Sequence, residues 1–298
     1  MICISPIMVQ KADRPGERVS APCGRCYSCL MNRASDWSFR LYQESKVATS
    51  TDFLTLTYED WNLPIQNAET QEINYYHEVY ETGIPAYSQA TLWKRDLQLF
   101  FKRLRKKYTI RYYAVGEYGS KTYRPHYHII LFNLPREARI KIEDIWQRGS
   151  VQFGTVTEAS IHYVTTYIMT KNQEFKGREP PFSLMSQKPP LGINYYNKYK
   201  KLHADENRHH VSYNGLRQRI PRLFDNYLHQ EAEENQLGTG YRSISDHEIT
   251  KARILEDKDF QKWYNIRSDL GHDPIQEDYS QRQNETKFYN NKLTKTKL

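Results

Sequence analysis

The chain has 298 residues and a formal net charge of +8, from 43 Lys and Arg against 35 Asp and Glu. Apolar residues make up 38%, enough for a folded core, and no window approaches the about 18 consecutive apolar residues of a membrane-spanning helix. The 24 Tyr residues offer rings on which bases can stack. A basic, Tyr-rich chain of this kind predicts a polyanionic partner, with an ordinary solvated basic surface as the alternative.

The N-terminal part carries the four cysteines, Cys3, Cys23, Cys26 and Cys29. The last three form CGRCYSC, whose C-x2-C-x2-C spacing is tight for structural disulfides and suits thiolates that share one ion. The favoured interpretation is a structural zinc site with Cys3 as the fourth ligand. An iron–sulfur cluster tolerates the same spacing, and a set of reduced buried thiols is the third interpretation. Each implies a reducing, intracellular compartment.

The spacing of apolar residues predicts strands and helices in alternation over the middle of the chain. In order, these are a helix over 30–46, a strand over 52–58, a polar insertion over 60–89, a helix over 91–107, strands over 110–117 and 125–132, a helix over 136–146, a strand over 150–158 and a helix over 159–171. The first six elements from the strand at 52 match the split βαβ pattern of a ferredoxin-like sheet. We therefore expect an α+β fold with an antiparallel sheet of four or five strands and helices on one face.

Composition divides the chain into three predicted regions: a Cys-rich module with its helix over 1–50, a core over 51–175, and an accessory, largely helical region over 176–298. In the last region, RLFDNYLHQ at 222–230 and ITKARILEDKDFQKWYNI at 249–266 are helix-like. Residues 276–298 are polar enough to be frayed or disordered.

The segment PHYHIILF carries the first candidate for chemistry. His126 and His128 are two residues apart on a predicted strand, so both imidazoles point to the same face. Glu117 ends the preceding strand of the hairpin, which brings a carboxylate beside them. Two imidazoles and one carboxylate leave open coordination positions, as a catalytic metal needs. The alternative is two ordinary histidines on a solvated strand face.

The segment HYVTTYIMTK carries the second candidate. Tyr163 and Tyr167 are four residues apart on a predicted helix, so their rings lie one above the other, and Lys171 continues that stripe. A phenol has a pKa near 10 and is a poor nucleophile unless its deprotonation is assisted. Opposite a metal-bound phosphodiester, however, it can attack phosphorus in line. The alternative is a pair of tyrosines that covers the edge of the core.

The predicted helix over 91–107 is amphipathic, and its polar face is strongly basic. Such a face would follow the backbone of single-stranded DNA. The residues that we expect to contact DNA are Lys102, Arg103, Arg105, Lys106 and Lys107.

Together, Glu117, the triplet HYH at 126–128 and the pair Tyr163/Tyr167 resemble the HUH-type nucleases that start rolling-circle replication, and FLTLTY at 53–58 resembles their first motif. The similarity is closer to the replication initiators of gokushovirus-like microviruses, which are small single-stranded DNA phages. It includes CGRCYSC, the following helix, KRDLQLFFKRLRKK, FSLMSQKPPLG and IPRLF, and covers about residues 1–228. That family often places Lys three residues after each Tyr, whereas Thr166 and Thr170 stand there in this chain.

The resemblance implies an HUH endonuclease core that nicks origin DNA through a 5′-phosphotyrosine and recircularises the product. It implies Mg²⁺ or Mn²⁺ at Glu117, His126 and His128, nucleophilic Tyr163 and Tyr167, and Lys171 near the scissile phosphate. It also implies single-stranded DNA, the replication origin, and host polymerase and helicase as partners in the cytoplasm of an infected bacterium. The alternatives are an HUH transposase or relaxase, and a non-catalytic zinc-containing DNA-binding protein.

Overall fold

The computed structural model describes residues 3, 5–10, 16, 18–83, 89–167, 177–213 and 215–233. The chain divides into two compact units, one formed by Met1–Asp36 with Lys198–Leu298 and the other by Trp37–Asn197. The helix predicted over 249–266 and the frayed segment predicted over 276–298 lie outside the described residues.

Regular elements alternate along the described residues, broadly as predicted. The strands are β1 (Ile7–Gln10), β2 (Arg18–Ala21), β3 (Thr51–Thr57), β4 (Pro64–Gln66), β5 (Ile73–Tyr75), β6 (Arg111–Tyr118), β7 (Pro125–Phe132), β8 (Val151–Thr155), β9 (Phe182–Met185), β10 (His210–Tyr213) and β11 (Leu216–Arg219). The helices are α1 (Tyr27–Ser45), α2 (Tyr76–Val79), α3 (Lys94–Arg105), α4 (Ile142–Trp146), α5 (Glu158–Thr166), α6 (Ile193–Asp205) and α7 (Arg222–Glu233). Two 3₁₀ helices cover Asp60–Asn62 and Arg136–Lys141, so the helix predicted over 136–146 is a 3₁₀ turn followed by α4.

A five-stranded sheet forms the centre of the Trp37–Asn197 unit, in the order β8-β3-β7-β6-β9. Every neighbouring pair is antiparallel, which confirms the predicted α+β fold with an antiparallel sheet. Since β3 and β6 both run antiparallel to the intervening β7, they are parallel to each other, as a split βαβ pattern requires. Strand β9 extends the sheet beyond β6.

Helices cover both faces of this sheet, so the prediction that they lie on one face is wrong. On one face, α3 and α4 pack against Leu54, Leu56 and Ile129. On the other face, Ile161 and Val164 of α5 join a separate buried cluster that includes residues of β6 and β7. The reason is visible in β6 and β7, which are apolar almost without interruption because both of their faces are buried.

The predicted polar insertion over 60–89 contains an antiparallel hairpin of β4 and β5 followed by α2. Its polar composition hides an anchor to α3: the Tyr75 hydroxyl donates to the buried Asp96 carboxylate at 2.5 Å, and the Tyr58 hydroxyl donates to the same group at 2.8 Å. No helix in the described part of the chain is long and apolar enough to cross a membrane.

Candidate metal and nucleophile site

Glu117, His126 and His128 meet on the sheet face that α5 covers. Glu117 on β6 lies opposite His126 on β7 in the strand register, and the period of the strand brings His128 to the same face. Glu117 Oε1 lies 2.7 Å from His126 Nε2 and 3.2 Å from His128 Nε2. One ligand atom from each residue fits within a 4.8 Å span, a geometry compatible with a metal ion.

The second nitrogen of each imidazole is occupied by another group. His126 Nδ1 lies 3.1 Å from the carbonyl oxygen of Arg124, and His128 Nδ1 lies 3.1 Å from Oγ1 of Thr55. A carbonyl only accepts, so His126 Nδ1 carries the proton and the Nε2 lone pair of a neutral ring faces the Glu117 carboxylate. This donor set fits a divalent cation, since metal-ligating histidines usually donate their other N–H to an oxygen.

The three groups influence each other's protonation. Burial acts to raise the pKa of Glu117, but the hydrogen bonds and charges of His126 and His128 outweigh it and lower that pKa. Burial acts to lower the pKa of His126, and the Glu117 carboxylate overcomes this and raises it. The carboxylate is therefore ionised at neutral pH, and its charge favours a cation at this position.

Both tyrosines lie beside His128. The ring centroid of His128 is 5.6 Å from that of Tyr163 and 5.8 Å from that of Tyr167, with the second pair nearly parallel. Tyr163 is 47% exposed, whereas Tyr167 is half-buried. Burial, a hydrogen bond with Tyr163 and the charge of Glu117 together raise the pKa of Tyr167. The structure thus brings the sequence-predicted triad and tyrosine pair together.

The rotation of α5 places the tyrosines here. Ile161 and Val164 are buried against the sheet, so the adjacent stripe of the helix faces the triad. A capping box begins the helix, in which Thr157 Oγ1 accepts from Ser160 N at 3.1 Å. Near its end, the Thr166 hydroxyl donates to the carbonyl of Tyr163 at 2.7 Å.

The predicted contribution of Lys171 lies outside the described residues, as does that of Thr170. The residue three positions after Tyr163 is Thr166, which is uncharged.

The four cysteines form a second group within the other unit, and all four are free thiols. Sγ of Cys26 lies 3.9 Å from Sγ of Cys3, and Sγ of Cys23 lies 4.0 Å from Sγ of Cys29. Four thiolates around a tetrahedral zinc, with Zn–S bonds of about 2.3 Å, would be about 3.8 Å apart. The geometry is therefore compatible with a metal ion, as predicted.

Backbone amides stabilise one of these thiolates. The N–H groups of Arg25 and Cys26 donate to Cys23 Sγ at 3.4 and 3.3 Å. Burial opposes ionisation of Cys23, but these donors prevail and lower its pKa to about 7. Burial raises the pKa of Cys29.

The basic residues predicted to contact DNA lie on or just after α3, on the sheet face opposite the triad. Arg103 is engaged within the fold, because its guanidinium donates to the carbonyls of Ile145 at 2.8 Å and Trp146 at 3.1 Å. The side chains with exposed surfaces are Lys102, Arg105, Lys106 and Lys107.

Sequence reasoning missed Thr55, which contacts His128 from the neighbouring strand. In FLTLTY, Thr55 fits a half-buried strand and carries no sign of a role at a site. The register between β3 and β7 pairs Thr55 with His128, and that register was not readable from either segment alone.

An α+β protein that combines an imidazole–carboxylate group with a tyrosine pair can be compared with known proteins. Residues 51–173 match the family model of the replication-associated protein ORF2. The chain is 27% identical over 277 residues to Replication-associated protein VP4 of Bdellovibrio phage phiMH2K, over 83% of this chain and 80% of that protein.

Two further relatives are similar over a large part of the chain. Replication-associated protein ORF2 of Spiroplasma virus 4 is 26% identical over 235 residues, covering 72% of this chain and 69% of that protein. Replication-associated protein ORF4 of Chlamydia phage 1 is 24% identical over 255 residues, covering 74% and 56%. No solved structure matches the chain. The resemblance to the replication-associated proteins of gokushovirus-like microviruses is therefore confirmed.

Proposed function

We propose that this chain initiates replication of a single-stranded DNA phage as an endonuclease and ligase that cuts at the origin. Its relatives are named replication-associated proteins, which supports a role in replication. The observation that carries the proposed chemistry is the position of two tyrosines, 5.6 and 5.8 Å from the His128 ring, on the face that holds Glu117 and His126.

Glu117, His126 and His128 would hold Mg²⁺ or Mn²⁺, because imidazole and carboxylate ligands admit these ions at phosphodiesters. When bound, the ion supplies charge neutralisation at the scissile phosphate. The Cys3, Cys23, Cys26 and Cys29 group would hold a structural zinc.

The tyrosines carry the covalent steps. The phenolic oxygen of one Tyr forms a bond to phosphorus while the bond from phosphorus to the 3′ oxygen breaks. The phenol loses its proton and the leaving oxygen gains one, which yields a 5′-phosphotyrosine and a free 3′-OH. After one round of copying, the second Tyr cuts the regenerated origin, and the 3′-OH released there attacks the first phosphotyrosine to close a circle.

Tyr163 and Tyr167 suit this alternation because their ring centroids are only 4.8 Å apart. Either hydroxyl then reaches the same phosphate after a small movement. Lys171 would steady that phosphate by its charge.

The other proposed features follow from this function. The HUH nuclease core would occupy 51–175, which is close to the span of the family match at 51–173, with the Cys module over 1–50 and the accessory region over 176–298. The partners would be single-stranded DNA, the origin, and the polymerase and helicase of the host, in the cytoplasm of an infected bacterium.

The test is covalent capture. The protein is incubated with Mn²⁺ and a pool of randomised, end-labelled single-stranded oligonucleotides, and adducts are separated on a denaturing gel. We expect label on the protein, enrichment of one sequence on repeated selection, and no adduct with a Tyr163→Phe/Tyr167→Phe double variant. A folded protein that binds the pool but never acquires label would instead be a non-catalytic DNA-binding protein.

A further inference from the structure

A cleft of about 660 Å³ opens in the Trp37–Asn197 unit, away from the triad. One wall is formed by the end of α3 and the start of β6, and the other by residues after β9. Its polar lining includes Arg105, Tyr108, Arg111, Ser186, Gln187 and Lys188. Arg111 and Glu117 are at opposite ends of β6, so the cleft lies about 20 Å from the triad along the strand.

Arg105 is held in the cleft by neutral groups. Its guanidinium lies 4.9 Å from the ring centroid of Tyr112 and donates to Ser186 Oγ at 3.1 Å. Ser186 is buried, and its Oγ also accepts from the Tyr112 amide at 3.1 Å, which fixes the acceptor in place. The orientation of Arg105 is therefore set by a ring and a hydroxyl rather than by a carboxylate, so its positive charge stays available.

The neighbouring Arg111 shows the contrast. Its guanidinium donates to the carboxylate of Glu44 at 2.5 Å, and this pair is largely buried. No Asp or Glu is among the described residues that line the cleft. The exposed Lys188 on the opposite wall adds a second cation, so the cleft has an excess of positive charge.

These groups fit a phosphodiester chain with its bases. A guanidinium with several N–H donors pairs with phosphate oxygens in a fork, and an ammonium adds a flexible point charge. The half-buried ring of Tyr108 offers a stacking surface, and the Gln187 amide offers both a donor and an acceptor. The volume is that of a pocket for a ligand of about nucleotide size.

We propose that this cleft binds the phosphate backbone of single-stranded DNA and holds the strand away from the cutting site. The inference rests on the proposed function for its choice of DNA as the ligand. Free phosphate and mononucleotides share the same anionic chemistry, and the experiment separates them from a strand.

The experiment measures fluorescence anisotropy of a labelled oligothymidylate with the full chain, without added Mn²⁺, over a range of salt concentrations. The test variant is Arg105→Met/Lys188→Met, in which Met at 105 keeps an apolar stem over Tyr112. The matched control is Arg136→Met/Lys141→Met, which removes the same charge from exposed positions outside the cleft.

We expect the test variant to bind the oligonucleotide about tenfold more weakly, with a salt slope reduced by about 1.4 for two lost phosphate contacts. The control should lose less than about threefold. The single Lys188→Met variant changes only an exposed side chain and should reduce the slope by about 0.7, which keeps the test valid if Arg105→Met unfolds the protein.

Equal losses in test and control variants would overturn the proposal, because they would reflect net charge alone. It would also be overturned if the test variant loses affinity for a labelled ATP but not for the oligonucleotide, since the cleft would then hold a mononucleotide. A cleft variant that binds normally while adducts still form refutes the cleft alone. Cleft-dependent binding in a protein that never forms adducts refutes the nuclease instead.

Discussion

Thr55→Val tests whether the hydroxyl beside His128 prepares the triad for a metal ion. Valine has nearly the shape of threonine but cannot pair with His128 Nδ1, which lies 3.1 Å from the Thr55 hydroxyl oxygen. With Nδ1–H donating to Thr55, the His128 ring keeps its Nε2 lone pair directed toward Glu117.

The size of the effect follows from the cost of an unpaired polar group. Leaving a buried donor without its acceptor costs about 1–3 kcal/mol, and His128 is buried. At about 1.4 kcal/mol per factor of ten, Mn²⁺ affinity should fall by about 5- to 100-fold. This agrees with the about 10- to 100-fold loss observed when groups that orient metal ligands are removed.

The measurement is a calorimetric titration of Mn²⁺ into the purified protein and into Thr55→Val, with Thr55→Ser as the matched control. Serine keeps the hydroxyl and should bind Mn²⁺ within about threefold of the parent. Urea unfolding of all three proteins separates a loss of metal affinity from a loss of stability. If folded Thr55→Val binds Mn²⁺ as the parent does, Thr55 is only a strand residue and the argument from orientation is refuted.

Three further predictions address the ligands and nucleophiles directly. His128→Ala should abolish both Mn²⁺ binding by calorimetry and adduct formation on gels, while oligonucleotide anisotropy changes by less than about threefold because basic and aromatic groups elsewhere hold the strand. Tyr163→Phe and Tyr167→Phe should each retain some adduct but fail in strand transfer that needs two cuts; complete loss in one variant alone would leave a single nucleophile. Metal analysis of the parent should find about one tightly held zinc per chain, lost in Cys29→Ser, whereas a zinc-free parent of unchanged stability would contradict a structural zinc site.

The sequence alone determined the local geometry of the candidate site. The two-residue period of a strand requires His126 and His128 to share a face, and the hairpin brings Glu117 opposite them. The helical spacing of Tyr163 and Tyr167 likewise follows from the sequence, as their ring contact bears out. These relations depend on residues close along the chain, so backbone periodicity is enough to predict them.

Contacts between distant segments were decided only by the tertiary structure. The pairing of β3 with β7 brings Thr55 to His128, and burial of both sheet faces puts α5 and its tyrosines over the triad. The same packing places α3 on the opposite face and joins Arg105 to Ser186 in a cleft. Strand register and helix packing are selected by the burial of apolar surface across the whole unit, and no single segment contains that information.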